Sequence, residues 1–218
     1  VGVLRVRTIE ELFDMADVLA KQPRPRGPRL AMVTNAGGPG ALATDMLVRN
    51  GGKLAELAPD TMEKLNGLLP PFWSHNNPVD VLGDANAERY AKALEVVKDE
   101  PSADGVLVIL TPQDMTEPTE TAKALKPFAA SGKPLLASWM GGVNVAEARH
   151  ILSEANIPSF HYPDQAARAF VLMHRYSANL RSIYETPSLP RGGAADRKQS
   201  AASHIVTAAR ALGRTVLT

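Results

Sequence analysis

The residues with the clearest chemical potential form a glycine-rich loop, Asn35–Gly40, with the sequence NAGGPG. A short apolar run of strand length, Leu30–Val33, precedes the loop, and a helix-compatible segment opens at Pro39. The three glycines would let a ligand approach the main chain, and the first N–H groups of the helix would face it with the positive end of the helix dipole. The loop contains no nucleophile and no proton shuttle, so we expect it to hold negative charge rather than exchange protons.

The loop departs from the strict phosphate-binding motifs. No lysine follows Gly40, as a Walker loop requires, and GGPG lacks the spacing of the dinucleotide motif GxGxxG. A tight strand-to-helix turn without a ligand explains the same glycines equally well. The loop alone therefore leaves both interpretations open.

Composition limits the class of protein. The 218 residues, 44% hydrophobic and 22% charged, suit one globular domain with flanking pieces. A formal charge of +1, without a basic cluster interleaved with aromatic residues, argues against a nucleic-acid partner. The chain has no cysteine, no apolar run long enough for a membrane span and no signal peptide, so we expect a cytoplasmic protein. Because the sequence starts at Val1 in mid-pattern, we expect a preceding segment to hold part of the site.

Strands and helices alternate along the chain after a proline-rich linker at 21–28. The predicted strands are 30–33, 53–57, 105–110, 134–139 and 158–160. The predicted helices begin near residues 39, 59, 87, 117, 143, 163 and 200. This alternation predicts an α/β fold with a flavodoxin-like, doubly wound, five-stranded parallel sheet in the order 2-1-3-4-5 and with flanking N- and C-terminal helices.

The N-terminal region is predicted to contain a strand-like piece at 1–6 and then a helix. Thr8 and Glu11 have the spacing of a capping box at the start of that helix. Its apolar stripe is predicted to consist of Leu12, Phe13, Ala16, Leu19 and Ala20.

The predicted strand order brings further turns to the edge that carries the glycine loop. The third strand ends in Thr111–Thr116 and lies beside the first, so the helix N-termini near Pro39 and after this turn converge on one crevice. Asn77 and Asp80 precede the third strand, and the fourth ends in Trp139–Gly142. Two structural alternatives stay open: the asparagine and aspartate stabilise their own turn, and the tryptophan belongs to the core.

Histidines and carboxylates give no metal-binding pattern. His75 lies beside the predicted crevice and is the histidine most worth testing, although a surface or hydrogen-bonding role is more usual for a lone loop histidine. Asp80, Asp84 and Glu88 lack the surroundings of a calcium loop. We therefore predict no bound metal.

Five separated motifs carry a family resemblance. They are TNAGGPGALATDML, NNPVDVLGDANAERYAKAL, VLVILTPQDMTEP, KPLLASWMGG and IPSFHYPDQAARAF. With these motifs in this order, the chain from Val1 to about Pro190 resembles the third region of the α portion of NDP-forming acyl-CoA synthetases, in the succinyl-CoA ligase superfamily. Residues 197–218 resemble the segment that leads into an ATP-grasp domain in fused members.

The resemblance implies an enzyme that interconverts acyl-CoA, ADP and phosphate with the free acid, CoA and ATP through a phosphohistidine. In the family, that histidine belongs to a Ser-His-Thr-Gly motif of a neighbouring domain, and the motif does not occur in this sequence. We therefore expect the chain alone to be inactive and to bind no cofactor, with CoA, ATP or ADP, and Mg serving the full enzyme. The implied partners are CoA-binding, phosphohistidine and ATP-grasp domains, and a homo-oligomer stays open.

The resemblance also divides the chain and assigns its site. Residues 1–28 are expected to be a linker helix from a preceding domain, 29–185 the flavodoxin-like CoA-ligase domain, and 186–218 a linker and entry segment with a hinge at Gly192–Gly193. The turn Thr111–Thr116 matches the family's helix N-terminus that faces the phosphohistidine, although it carries Pro112 and Gln113 where relatives with separate subunits have glycines. The predicted phosphate- or anion-binding residues, none of them catalytic, are Asn35, Ala36, Gly37, Gly38, Gly40, Asn77, Asp80, Thr111, Gln113, Asp114, Gly141 and Gly142.

Two other functions stay open. One is a non-catalytic scaffold or sensing module in a protein acetyltransferase fusion, and the other is a free-standing, flavodoxin-like protein that binds a small anion. An upstream Ser-His-Thr-Gly motif would favour the synthetase, whereas an attached acetyltransferase would favour the module. Phosphate binding by the isolated chain would favour the free-standing protein.

Overall fold

A computed structural model describes residues 2–184 and 194–213 of the chain. The chain divides into two compact units, Val1–Ile183 and Tyr184–Thr218. The predicted glycine hinge at 192–193 and the last residues of the entry segment, 214–218, lie outside the described residues. The domain boundaries at residues 28 and 185 stay predictions.

A six-stranded parallel sheet forms the centre of the first unit. The strands are β1 Arg29–Thr34, β2 Lys53–Leu54, β3 Val79–Asp80, β4 Gly105–Leu110, β5 Leu135–Trp139 and β6 Ser159–Phe160. Their order is β2-β1-β4-β5-β6, and β3 pairs with the end of β1. The prediction of an α/β fold with a parallel sheet is confirmed.

The predicted count of five strands is wrong because β3 is a sixth strand. β2 pairs only with the first two residues of β1, which leaves the far end of that side of β1 without a partner. The two residues of β3 supply that partner through Val33 and Thr34. A strand of two residues behind a proline carries no periodic pattern, so the sequence did not reveal it.

Helices cover both faces of the sheet. They are α1 Ile9–Lys21, α2 Gly37–Arg49, α3 Pro59–Leu68, α4 Ala87–Val97, α5 Pro118–Leu125, α6 Ala146–Glu154 and α7 Pro163–Tyr184, with short 3-10 turns at Lys126–Phe128 and Gly142–Val145. Alternate residues of β1 enter two separate cores: Ala31 and Val33 join one, and Leu30 and Met32 join the other. The second unit contains α8, Ala194–Ala211, on which Ile205 is exposed.

The start of α1 is capped as predicted. Thr8 accepts the N–H of Glu11 at 3.1 Å. The Glu11 carboxylate accepts the N–H of Arg7 at 2.6 Å, rather than that of Thr8, and pairs with Arg168 on α7. These partners let a charged side chain take a buried position.

The buried face of α1 differs from the predicted stripe. Met15 and Val18 join Glu11 on the buried face, whereas Leu12 and Phe13 are 55% and 69% exposed. Periodicity alone assigned the apolar residues to the core because it does not register the ion pair that buries Glu11. The predicted strand-like piece forms no strand within residues 2–6.

Two buried carboxylates, Glu100 and Asp104, fix the loop before β4. Asp104 accepts the N–H of Arg29 at 3.0 Å and two bonds from its guanidinium at 2.8 and 3.1 Å. Glu100 accepts the N–H groups of Ala58 and Ser102, each at 2.9 Å. Burial alone would raise the pKa of each carboxyl, but these donors together lower both pKa values below their ordinary range.

We predict that acid destabilises the first unit through these two groups. Their folded-state pKa values lie below the unfolded ones, so their stabilisation is complete above the unfolded pKa values of about 4 and is lost as the pH falls through the folded values. Urea unfolding at a series of pH values between about 7 and 3 should give falling midpoints, with a shallower fall for Glu100→Gln. Glu63→Gln, at an exposed position of α3, should keep the wild-type slope. Equal slopes for all three proteins would contradict the assignment.

Candidate functional site

Four turns lie together at the carboxyl edge of the sheet and form what we call the rim. They are 35–40 after β1, 80–83 after β3, 111–116 after β4 and 140–142 after β5. The buried side chain of Asn35 joins two of them: its Oδ1 accepts the N–H of Thr111 at 2.9 Å, and its Nδ2 donates to the Thr111 carbonyl at 2.8 Å. The structure thus brings together the two turns that the strand order predicts as neighbours.

Glycines allow the remaining turns to pack closely. A Cβ atom added at Gly141, where φ is +128°, would lie 2.6 Å from the Pro112 ring. A Cβ added at Gly83 would clash with the Gln113 side chain, which reaches across from the β4 turn. Gly83 was not predicted as a rim residue, although its position three residues after Asp80 was a signal.

The N-terminus of α2 offers main-chain donors at the rim. The helix begins at Gly37 with Ala36 as its N-cap, so Pro39 is the third helical residue. The prediction that Pro39 is the first helical residue is wrong. Within residues 2–184, the N–H groups of Gly37 and Gly38 have no hydrogen-bond acceptor. A Cβ added at Gly38 would meet no heavy atom within 4 Å. The two N–H groups therefore form an open pair at the positive end of α2.

The β4 turn supplies fewer donors than the resemblance implies. Thr116 Oγ1 accepts the N–H of Gln113 at 2.8 Å and donates to its carbonyl, also at 2.8 Å, which closes the turn. α5 begins only at Pro118, which has no N–H. Asp114, within this turn, is exposed and adds a negative charge that opposes an anion.

Asn77 lies inside the sheet rather than at the rim surface. It is 5% exposed, and its Oδ1 accepts the N–H of Met32 at 2.9 Å. Its Nδ2 donates to the carbonyls of Leu30 and Ala55, both at 2.9 Å. Both amide hydrogens are therefore in use, which favours a structural role over the predicted contact with an anion.

Asp80 faces the start of α2. Its Oδ1 accepts the N–H of Leu82 at 2.9 Å, which closes its own turn. Its Oδ2 is the heavy atom nearest to a Cβ built on Gly37, at 3.6 Å. The charge of this carboxylate lies at the positive end of the helix dipole, which stabilises it. Burial and the nearby Asp80 raise the pKa of Tyr90, whose hydroxyl donates to the Ile109 carbonyl at 2.9 Å.

The remaining candidates have structural contacts. The ring nitrogens of His75 lie 2.8 Å from Asn66 Oδ1 and 2.9 Å from the Pro71 carbonyl, in the connection between α3 and β3. Trp139 is fully buried and donates its indole N–H to the Pro118 carbonyl, which supports its assignment to the core. Within residues 2–184 and 194–213, no three His, Asp or Glu side chains are grouped to hold a metal ion. No helix of the same residues is long and apolar enough to cross a bilayer.

Fold and rim together define an α/β domain in which several turns meet above the carboxyl ends of parallel strands. The Ligase-CoA domain family matches residues 30–182, and the chain belongs to this family.

Curated relatives share the sequence over most of this chain. The chain is 39% identical over 176 residues to acetate–CoA ligase [ADP-forming] I of Archaeoglobus fulgidus, and the matched region covers 81% of the chain and 25% of that protein. It is 38% identical over 182 residues to the α subunit of acetate–CoA ligase [ADP-forming] II of Pyrococcus furiosus, which covers 80% of the chain and 39% of the subunit. The chain thus spans well under half the length of these relatives.

A solved structure has the same fold. The apo form of dinucleotide-forming acetyl-coenzyme A synthetase 1 of Ca. Korarchaeum cryptofilum superimposes with a TM-score of 0.80 and 28% sequence identity. The match covers 86% of this chain and 42% of the other.

We predict that Asn77→Ala destabilises the first unit by about 2–4 kcal/mol, because it leaves the buried Met32 N–H and Ala55 carbonyl without a partner. Chemical unfolding measures the change. Asn144→Ala is the matched control, since that side chain is exposed and has no hydrogen bond among the described residues, and it should change stability by less than about 0.5 kcal/mol. Equal stability of the two variants would contradict the structural role of Asn77.

Proposed function

We propose that this chain is one domain of an ADP-forming acyl-CoA synthetase. The complete enzyme would interconvert acyl-CoA, ADP and phosphate with the free acid, CoA and ATP through a phosphohistidine of another domain. The carrying observation is the open donor pair of Gly37 and Gly38 at the rim, in a family whose relatives bear the names of ADP-forming CoA ligases. The names acetate–CoA and 4-hydroxybutyrate–CoA ligase support small carboxylic acids as the substrate class.

In this proposal the rim stabilises charge and transfers no proton. Two main-chain N–H groups and the α2 dipole offer fixed positive potential to a phosphoryl group. The Asp80 carboxylate beside Gly37 opposes a second anion, so a phosphate ion gains little from entering the rim of the isolated chain. A phosphorylated side chain held by a neighbouring domain overcomes this repulsion, because the rest of that domain supplies the binding energy.

The proposal also includes partners that the described residues do not contain. These are CoA-binding, phosphohistidine and ATP-grasp domains, attached to a domain whose strands other than β3 follow the flavodoxin-like order. The polar groups of the rim suit phosphoryl oxygens better than Mg²⁺, which prefers several oxygen ligands and retained water. In this proposal the metal and the nucleotide that takes part in the reaction are held by the other domains and not at the rim. The cytoplasmic location and a homo-oligomer stay predictions.

One observation favours the alternative of a non-catalytic sensing module. The β4 turn is closed by Thr116 and carries Pro112 and Gln113, so it offers fewer donors than the family resemblance implies. Failure of the full-length protein to form a phosphoenzyme would favour this alternative.

The test compares two glycine substitutions in the full-length protein that contains this chain. Gly38→Ala places a methyl group in the proposed ligand space without a clash with protein atoms. Gly67→Ala on α3 also adds a methyl group without a clash, but at a position away from the rim. We expect Gly38→Ala to lower phosphorylation of the histidine by ATP, and turnover of acetate and CoA, by about tenfold to a hundredfold. Gly67→Ala should keep both rates. Wild-type rates in both variants would remove the α2 N-terminus from the site.

A further inference from the structure

A second cleft lies at the opposite edge of the sheet, where β1, β4 and β5 begin. It has a volume of about 680 Å³, within the range of small-molecule sites. We call it the basic cleft because its charged lining residues are Arg24, Arg26, Arg29, Lys133 and a single carboxylate, Asp104.

The positive charge of the basic cleft is largely uncompensated. Asp104 is occupied by Arg29, with both guanidinium contacts near 3 Å. Within residues 2–184, Arg24 and Arg26 have no carboxylate partner, and the Arg24 guanidinium instead lies 6.0 Å from the centre of the Tyr176 ring. Cations that line a cleft with low-dielectric walls concentrate the potential felt by an anion.

Lys133 is held in the lining with most of its hydrogen-bonding capacity unused. Its Nζ donates to the Glu100 carbonyl at 2.5 Å, and it forms no ion pair with the described residues. Burial lowers the pKa of Lys133, and the nearby carboxylates of Glu100, Asp99 and Asp104 oppose this only in part. A part-buried ammonium group that has no ion pair is stabilised in its charged form by a bound anion.

The uncharged part of the lining sets the shape of the ligand. Pro28, Pro101, Ala103 and Pro134 form apolar walls, and the prolines have no N–H to donate. An anion must therefore be recognised by the arginine and lysine side chains. Arginine forks match phosphate oxygens in pairs, and several cations together favour more than one phosphate group.

We propose that the basic cleft binds a small ligand that carries two or more phosphate groups beside a flat apolar ring, as a nucleoside diphosphate does. The phosphates lie among Arg24, Arg26 and Lys133, and the ring lies against the proline walls. This site is separate from the rim and does not depend on the function proposed for it.

Calorimetric titration of the 218-residue chain tests the proposal with four probes: ADP, pyrophosphate, inorganic phosphate and adenosine. We expect ADP to bind most tightly, pyrophosphate to bind more tightly than phosphate, and adenosine not to bind. Raising the salt from about 0.05 to 0.3 M should weaken ADP binding, because the contacts are ionic. Adenosine binding as tightly as ADP would overturn the proposal.

A pair of double variants separates the basic cleft from general surface charge. Arg24→Gln with Arg26→Gln should weaken ADP binding at least tenfold. Arg5→Gln with Arg7→Gln removes the same charge from two exposed arginines at the same spacing outside the cleft, and it should leave binding unchanged. Equal losses in both double variants would overturn the proposal.

Two further measurements distinguish this site from the alternatives. Lys133→Met should weaken ADP binding without lowering the thermal midpoint of the chain. A lower midpoint with unchanged ADP binding would show that Lys133 is only structural and would overturn its role in the cleft. Gly38→Ala should not affect ADP binding, so a loss there would place the ligand at the rim. Poly-glutamate that binds as tightly as ADP would identify a surface for an acidic protein and would also overturn the proposal.

Discussion

The structure depends on the main-chain hydrogen bonding of β1, the strand that ends at the rim. One side of β1 pairs continuously with β4, but its other side meets only two short strands, β2 at its start and β3 at its end. The Asn77 side chain fills the interval between them by bonding to the main chain of Leu30 and Met32. A buried amide or carbonyl without a partner costs about 1–3 kcal/mol, so this single side chain completes a strand that two neighbours leave incomplete. The position of the glycine loop at the end of β1 follows from that completion.

The two edges of the sheet deal with charge in opposite ways. At the rim, the Asp80 carboxylate already lies near the start of α2, so the donors of Gly37 and Gly38 face a site that contains its own negative charge. At the other edge, the carboxylates of Glu100 and Asp104 are occupied by hydrogen bonds, and the cations of the basic cleft outnumber them. The charges at the rim therefore favour a phosphoryl group that a partner domain holds in position. The charges at the basic cleft favour an anion that diffuses freely.

The sequence predicted secondary structure correctly where the pattern of apolar residues was long enough to show a period or a continuous buried run. β4 occupies the predicted residues 105–110 because six consecutive apolar residues suit a strand buried on both faces, and α7 occupies the predicted 163–184. β3 and the face of α1 could not be predicted in this way. A strand of two residues has no period, and the burial of Glu11 depends on Arg168, which is more than 150 residues away in the chain. Both features are set by a tertiary partner rather than by local composition.

At the candidate site, too, residue types alone did not predict which groups contact a tertiary partner. Asn35 and Asn77 were reasonable ligand-binding candidates, because an amide near a glycine turn can contact an anion as readily as it can contact the main chain. In the fold both amides bond to neighbouring strands and turns, and the Gly37 and Gly38 N–H groups have no acceptor in the part of the chain that the structure describes. The chemical information at the rim therefore resides in the glycines, where the absence of a side chain keeps the main chain accessible. A polar side chain becomes evidence for binding only after its internal partners have been counted, whereas a glycine at a helix start offers its N–H group to a ligand as long as no capping side chain accepts it.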